Sequence, residues 1–354
     1  MRVSDVPAFR RFWYPVGFAE DLLAGPLARR VLGVDLVVWD DGAGGAAAAV
    51  DRCPHRTAPL SAGWAEDGCI VCPYHGWRFG PDGPATHIPQ HDPALPIPPA
   101  ARLATVHGTV RHGVVWVALE DPVGGLPEVP GQDQPGYRTV RQFDEVWATA
   151  APHLVDNSFD PAHVAYVHRK TFGTPANARI DPPAITATGE GLRLEAQVVV
   201  ENHLELARRT NGVADERTVR RTTSRLVAPF LRVMEIVYPN GLQHTLVTGI
   251  CPVDDGHLRL VQWAVRNDTE QDVPAEEVVA FDRAVVAEDR ALLELMPDDY
   301  VLDAGELANI KVDRGTIAVR KVYRQFVDGT WPALLAPTPG GGASPPLSGR
   351  RGPR

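Results

Sequence analysis

The sequence predicts an α+β protein, with an all-β module from about residue 30 to 122 followed by a region that mixes strands with helices. Three observations predict it. Short β-rich runs alternate with turn signals through the first third. A Pro/Gly-rich connection, "DPVGGLPEVPGQDQPG" (121–136), then interrupts the pattern. Beyond it, helical spacing of apolar residues enters in "HLVDNSFDPAHVAYVHRKTFG" (153–173) and "PAEEVVAFDRAVVAEDRALLELM" (274–296).

In the first third, "VDLVVWD" (34–40), "AAAAVDR" (46–52), "GCIVC" (68–72) and "TVRHGVVWVALE" (109–120) read as strands. The turn-forming runs "DDGAGG", "GPDGPA" and "PALPIPPAA" lie between them. Past the boundary, "LRLEAQVVVENHLEL" (192–206) and "HLRLVQWAVRN" (257–267) are strand candidates. The strongest helix is 274–296: proline leads it, two glutamates occupy its first turn, and Pro297 closes it. The resulting division is 1–125, 126–335 and a disordered Pro/Gly/Ser-rich tail over 336–354, with no internal repeat.

Of the 354 residues, 44% are hydrophobic and 22% charged, a balance that suits a globular fold and not a disordered chain. A net charge of −9 offers no electrostatic basis for binding nucleic acid or an anionic membrane. Charges interrupt "FAEDLLAGPLARRVLGVDLVVW" every few residues, which predicts neither a membrane span nor a signal peptide. Four cysteines without an even, spread framework fit a reducing cytoplasm.

Three of those cysteines fall in "CPHRTAPLSAGWAEDGCIVCPYHGWRF" (53–79). Two short loops each offer one thiol and one imidazole: Cys53 with His55, and Cys72 with His75. A structural zinc ion also accepts two cysteines and two histidines, but zinc modules usually pair like with like along the chain. Cys69-Ile-Val-Cys72 is a redox-type spacing in an all-β context that lacks the βαβ surroundings such motifs use. A Rieske [2Fe-2S] centre holds one iron with two thiolates and the other with two imidazoles, which is the set these loops supply. Cys69 is then a packing residue. The prolines and Gly76 suit loops whose backbone approaches sulfur closely.

The second constellation is "DNSFDPAHVAYVH", with Asn157, Asp160, His163 and His168. Two histidines and a carboxylate from elsewhere form the facial triad that leaves positions open on ferrous iron. Five residues turn through about 140° on an ideal helix, so both rings share a site only if the helix ends or distorts between them. Asp160 and His163 lie on one face, where the Asp160 carboxylate could accept a hydrogen bond from His163. On 274–296 the apolar stripe is Val278, Phe281, Val285, Leu292 and Met296, and Asp289 falls inside it. A carboxylate on a buried face requires a cation or strong partner. Asp289 is the expected third ligand, with Glu288 as the alternative.

The strings "CPHR…CPYHGWRF" and "DNSFDPAHVAYVH", with "AEDRALLE" and "KVDRGTIAVRKVY" (311–323), resemble the Rieske non-heme iron oxygenases over about residues 10 to 327. Respiratory-chain Rieske proteins carry an extra disulfide-forming cysteine in each loop. Ala58 and Tyr74 stand there in this chain, which favours the oxygenase branch or a simple ferredoxin. The resemblance implies a Rieske domain followed by a catalytic domain whose antiparallel sheet is flanked by helices. It implies ligation of the cluster by Cys53, His55, Cys72 and His75, and of ferrous iron by His163, His168 and Asp289. It further implies electrons from NAD(P)H through a reductase or ferredoxin, and a homotrimer in which Asp160 bridges His75 of one subunit to His163 of the next. Asn157 would sit near the iron. The length resembles the vanillate and dicamba O-demethylase-like monooxygenases, which implies hydroxylation or demethylation of an aromatic or polycyclic small molecule by dioxygen. Residues 175–270 are expected to line its pocket. The competing expectation is an electron carrier or a zinc-stabilised binding module.

Overall fold

The computed structural model describes residues 1–213, 215–297, 299–302 and 307–331. The tail expected to be disordered, 336–354, lies outside the described residues. Among these residues no helix is long and apolar enough to cross a membrane.

The N-terminal region holds ten strands. They are β1 (Tyr14–Phe18), β2 (Leu27–Val31), β3 (Val34–Asp40), β4 (Ala46–Val50), β5 (Trp64–Glu66), β6 (Cys69–Val71), β7 (Arg78–Phe79), β8 (Ala85–His87), β9 (Thr105–Arg111) and β10 (Val114–Ala118). Six form an antiparallel sheet in the order β1-β10-β9-β4-β3-β2, and the other four form a small sheet, β5-β6-β7-β8. The run predicted as one strand at 109–120 is instead parts of β9 and β10, joined at His112 and Gly113. Both turn residues have positive φ (57° and 72°), the conformation a two-residue hairpin needs.

Strands β3 and β4 are buried on both faces, and their period of two sorts the side chains. Val37, Trp39, Ala47 and Ala49 pack with Cys53, Ile70, Cys72 and Phe79 under the small sheet. Leu36, Val38, Ala46 and Ala48 point the other way, into a core shared with Phe143, Trp147, Leu154 and Tyr323 of the C-terminal region. A second contact joins the two regions: Trp116 meets Trp263 edge to face, with ring centroids 6.1 Å apart. Such a pair contributes about 0.5–1.5 kcal/mol beyond its buried area.

The C-terminal region is a seven-stranded antiparallel sheet, β11-β17-β16-β15-β14-β13-β12. In chain order these are β11 (Arg138–Trp147), β12 (Ala184–Thr188), β13 (Gly191–Glu201), β14 (Arg217–Val227), β15 (Leu231–Val237), β16 (Gln243–Pro252) and β17 (Leu258–Arg266). Its helices are α1 (Ala151–Ser158), α2 (Val164–Val167), α3 (Glu205–Asn211), α4 (Ala275–Leu293) and α5 (Arg314–Val327). The fold is thus the α+β class expected: an all-β domain, then an antiparallel sheet flanked by helices.

Three local differences from expectation have physical reasons. The strand predicted over 192–206 ends at Glu201, and its last residues belong to α3. The helical pattern of 153–173 is broken between α1 and α2, where Asp160-Pro161 imposes an extended residue before a 3₁₀ turn at Pro161–His163. On α4, Val278, Phe281 and Leu293 are buried as the core face, whereas Leu292 is exposed, as is Met296 beyond the helix end. Asp282, which a helical wheel puts off the stripe, is buried because Gln142 and His244 meet its carboxylate.

Candidate metal centres

The two loops that cap the small sheet share one backbone design. The Cys53 N–H donates to the Ala58 carbonyl (2.9 Å), and the Thr57 N–H donates to the Cys53 carbonyl (2.9 Å). In the other loop the Cys72 N–H donates to the Trp77 carbonyl (2.9 Å), and the Gly76 N–H donates to the Cys72 carbonyl (3.0 Å). The fourth residue after each cysteine is left-handed, Thr57 at 59° and Gly76 at 69°. Glycine adopts that conformation freely, so Gly76 is explained by it, and Thr57 holds the same bend against its own side chain.

This geometry buries the sulfurs and leaves the rings near the surface. Cys53 and Cys72 are both 1% exposed. The ring centroids of His55 and His75 lie 4.7 Å apart, and Trp77 stacks on His55 at 4.4 Å. His55 Nδ1 is buried without a hydrogen-bond partner. Burial, with Cys72 beside it, pushes the Cys53 thiol up to about 11. Two buried cysteines side by side, plus an imidazole nitrogen without a partner, fit a two-thiolate, two-imidazole cluster. Cys69 stands outside this group, partly exposed at the start of β6 with its Sγ 3.9 Å from Thr86 Oγ1.

The second group assembles where α1 and α2 meet α4. The helix does end between the two histidines: His168 caps α2 at φ −88° and ψ 25°, off the helical path. Three amides, of Thr171, Phe172 and Gly173, then converge on the His168 carbonyl. At Gly173 a Cβ would lie 2.0 Å from the Val164 carbonyl oxygen, so only glycine permits this fold-back. His163 Nε2 and His168 Nε2 come within 3.1 Å of each other. Asp289 Oδ1 is 3.6 Å from the first and 3.5 Å from the second.

An outer hydrogen bond sets the tautomer of His163, and a carboxylate faces the outer nitrogen of His168. His163 Nδ1–H donates to the backbone carbonyl of Asp160. The bond expected to the Asp160 carboxylate is therefore made by the carbonyl of the same residue. Asp160 Oδ1 instead caps the 3₁₀ turn by accepting from the Ala162 N–H (2.8 Å). His168 Nδ1 faces Glu288 Oε2 at 3.5 Å. Glu288 also accepts from the Lys170 N–H (3.0 Å) and the Thr171 hydroxyl (2.6 Å). Burial opposes its charge, yet these donors hold its carboxyl below the usual range. Glu288 thus stands behind His168, outside the convergent atoms.

With both Nδ1 atoms directed outward, both Nε2 atoms present lone pairs to each other and to a carboxylate oxygen. Burial pulls His163 below the ordinary imidazole range, with Asp289 acting the opposite way. Two imidazole nitrogens and a carboxylate oxygen facing one point fit a divalent cation. Asn157 Nδ2–H donates to Asp289 Oδ1 (3.0 Å) and fixes that carboxylate.

A cavity of ≈ 140 Å³ opens beside this group. That is close to the roughly 150 Å³ known to hold one benzene ring. Its walls come from Trp147 and Leu154, from Val198 and Val200 on β13, and from Leu246 and Leu260 on β16 and β17. Thirteen of the 27 lining residues lie between 175 and 270, the segment expected to line it, and sequence reading picked out none of these thirteen individually. Arg220, Thr222 and Ser224 line it from one face of β14, because inward residues on a strand recur every second position.

Comparison with known proteins places this geometry. A family profile for the Rieske [2Fe-2S] domain matches residues 12–107. The profile of the vanillate O-demethylase oxygenase C-terminal domain matches residues 147–329. The oxygenase component of chloroacetanilide N-alkylformylase from Rhizorhabdus wittichii is 35% identical over 181 residues, 48% of this chain and 49% of that protein. Against that relative and dicamba O-demethylase from Stenotrophomonas maltophilia, the chain spans about half the relative's length. Methylxanthine N1-demethylase NdmA from Pseudomonas putida is 27% identical over 327 residues, 90% of this chain and 89% of that one. Its solved structure with caffeine superposes with a TM-score of 0.79 at 26% identity, covering 96% and 99% of the two chains. Thiol and imidazole loops on a small sheet, and a His-His-Asp group under a seven-stranded one, thus occur in a chain that belongs to the family of the vanillate O-demethylase oxygenase C-terminal domain, preceded by a Rieske [2Fe-2S] domain.

Proposed function

We propose that this chain is the terminal oxygenase component of a Rieske non-heme iron monooxygenase that hydroxylates or oxidatively demethylates an aromatic small molecule. The observation that carries the reading is the convergence of His163 Nε2, His168 Nε2 and Asp289 Oδ1 at one wall of a ring-sized cavity. Cys53 and Cys72 would hold one iron of the cluster and His55 and His75 the other, and His163, His168 and Asp289 would hold ferrous iron. When bound, the cluster supplies electrons singly and the ferrous ion activates dioxygen.

The protein's own groups do the positioning. The Asp160 carbonyl accepts from His163 Nδ1–H and Glu288 stands 3.5 Å from His168 Nδ1, which turns both Nε2 atoms toward the metal position. Asn157 holds Asp289 by its amide. Apolar walls exclude water from the face a substrate would meet. Relatives named for demethylating dicamba and methylxanthines support the reaction class.

Electrons would come from NAD(P)H through a reductase or ferredoxin. A homotrimer in a cytoplasmic setting, with 1–125 serving the cluster and 126–335 the iron, completes the reading. A groove reaching Asp160 and His163 from outside supports docking of a second subunit there. Its rim carries exposed Leu292, Met296, Val301 and Leu307. In that arrangement the Asp160 carboxylate would meet His75 of the next subunit.

Metal and acid-labile sulfide analysis of the purified protein tests the reading. An oxygenase holds about three irons and about two sulfides per chain; a carrier holds about two irons, and a zinc module holds no sulfide. Either of the last two results would overturn it, as would the absence of substrate-dependent oxygen uptake with a reductase and NADH.

A further inference from the structure

Among the described residues several enclosed arginines pair with carboxylates, whereas two that line the cavity do not. Arg29 (3.1 Å) and Arg259 share Asp144. Arg138 (2.9 Å) and Arg266 (2.6 Å) share Asp268. Arg320 holds Asp156 at 2.6 Å. Arg220 and Arg232, both lining the cavity, have no carboxylate in salt-bridge contact among the described residues.

Arg220 is only 6% exposed. Its guanidinium lies over Phe172, 4.2 Å from the ring centroid, and 5.6 Å from that of Tyr238. These faces support the plane of the fork, but Nε and Nη2 are buried with no hydrogen-bond partner. Arg232 donates from Nε and Nη2 to Ser224 Oγ (3.3 and 3.2 Å), and Nη2 touches Met234 Sδ at 2.6 Å. Enclosure pulls its pKa down to about 10, with Asp289 acting the other way. The two nearby carboxylates are already engaged, Asp289 by Asn157 and the two histidines, Asp282 by Gln142 and His244. Neither guanidinium therefore has a carboxylate of its own, and the unpartnered Arg220 donors aimed at the cavity are satisfied by an anion.

Strand geometry puts the two on one surface. Arg220, Thr222 and Ser224 share the inward face of β14, and Arg232, Met234 and Ile236 that of β15. Arg220 stacks on Phe172, whose ring lies 4.9 Å from that of His168. The cationic side of the cavity therefore adjoins the metal-binding side.

We propose that Arg220 and Arg232 receive an oxyanion substituent, a carboxylate or sulfonate, of a single-ring aromatic substrate, and so turn the remainder of the ring toward His163, His168 and Asp289. The word substrate rests on the oxygenase reading; the binding of the anion does not. Guanidinium forks bind such planar groups through paired, charge-assisted hydrogen bonds. An uncharged ester of the same shape loses them.

Isothermal titration of the iron-loaded full chain with benzenesulfonate, 4-methoxybenzoate and its neutral methyl ester tests this. At least one anion should bind, and 4-methoxybenzoate should bind about tenfold or more tighter than its ester. Arg220→Gln, checked for an unchanged cluster spectrum, should weaken the acid about tenfold and leave the ester within about twofold. Arg232→Gln should act in the same direction. The inference is overturned if neither anion binds, if acid and ester bind equally, or if both substitutions weaken acid and ester alike. The acid-to-ester ratio of the unaltered protein decides the matter even where a variant fails to fold. Anion binding without any oxidation would uphold the inference and sink the oxygenase reading, and oxidation of neutral rings alone would do the reverse.

Discussion

Cys53, His55, Cys72 and His75 come from neighbouring loops of one small sheet, whereas His163 and His168 meet a carboxylate from a helix far along the chain. Asn157 and the Asp289 it holds are 132 positions apart. The cluster loops draw their shape from local backbone bonds, repeated almost atom for atom in each loop. The second group draws its shape from the packing of α1, α2 and α4 around a cavity. A locally built site is set by its own few residues; a site built at long range depends on partners standing behind each ligand.

That contrast can be tested by substitutions, ordered by expected effect. Cys72→Ser should abolish the visible absorption of the cluster and all turnover, while Cys69→Ser keeps both; the reverse result would show the thiolates to be misassigned. Asp289→Ala should leave that absorption intact but reduce iron from about three to about two per chain. Loss of the cluster as well would mean that the two sites are not built independently. With Asp160→Asn, both metals should remain and product formation should stop; normal turnover would remove the inter-subunit bridge. Glu288→Gln should weaken iron retention at the second site by about 10–100-fold without touching the cluster spectrum, as measured by chelator competition.

The smallest effect concerns a cluster of three charged residues that holds no candidate metal ligand. Burial raises the Asp268 carboxyl, but hydrogen bonds and charge from Arg266 and Arg138 outweigh it and hold the group below its ordinary range. A depressed folded value means that this stabilisation is complete above the unfolded value of about 3.9 and is lost as pH falls through the folded one. Asp268→Asn should cost about 1–3 kcal/mol in urea unfolding near neutral pH, and the cost should shrink in acid. A cost independent of pH would assign it to packing.

The same contrast governs what the sequence makes legible. Thiols and imidazoles set in pairs among prolines and glycines can be read directly, because all the relevant neighbours are near in the chain. Asp289 was singled out by helical periodicity, and the fold brings it to both histidines. The bond from His163 was expected at the Asp160 carboxylate and lies at its carbonyl, since helical spacing fixes which residues meet and not which atom accepts. Asp282 was set aside as off the stripe, but Gln142 reaches it from β11, at a bulge between Arg141 and Phe143 that no local pattern announces. Arg220 was hidden for a different reason. "RTVRRTTSRLV" carries charge on both faces of β14, so its inward side gives no apolar alternation to detect.

Strands β3 and β4 serve as a party wall, with cluster-side residues on one surface and catalytic-side residues on the other. Cutting the chain after this wall would strip Leu36, Val38, Ala46 and Ala48 of their cover and leave a greasy panel facing water. A transplanted electron-donating head would therefore have to bring a matching row of those four side chains with it, and engineers exchanging such heads between relatives should graft along that row instead of at the linker.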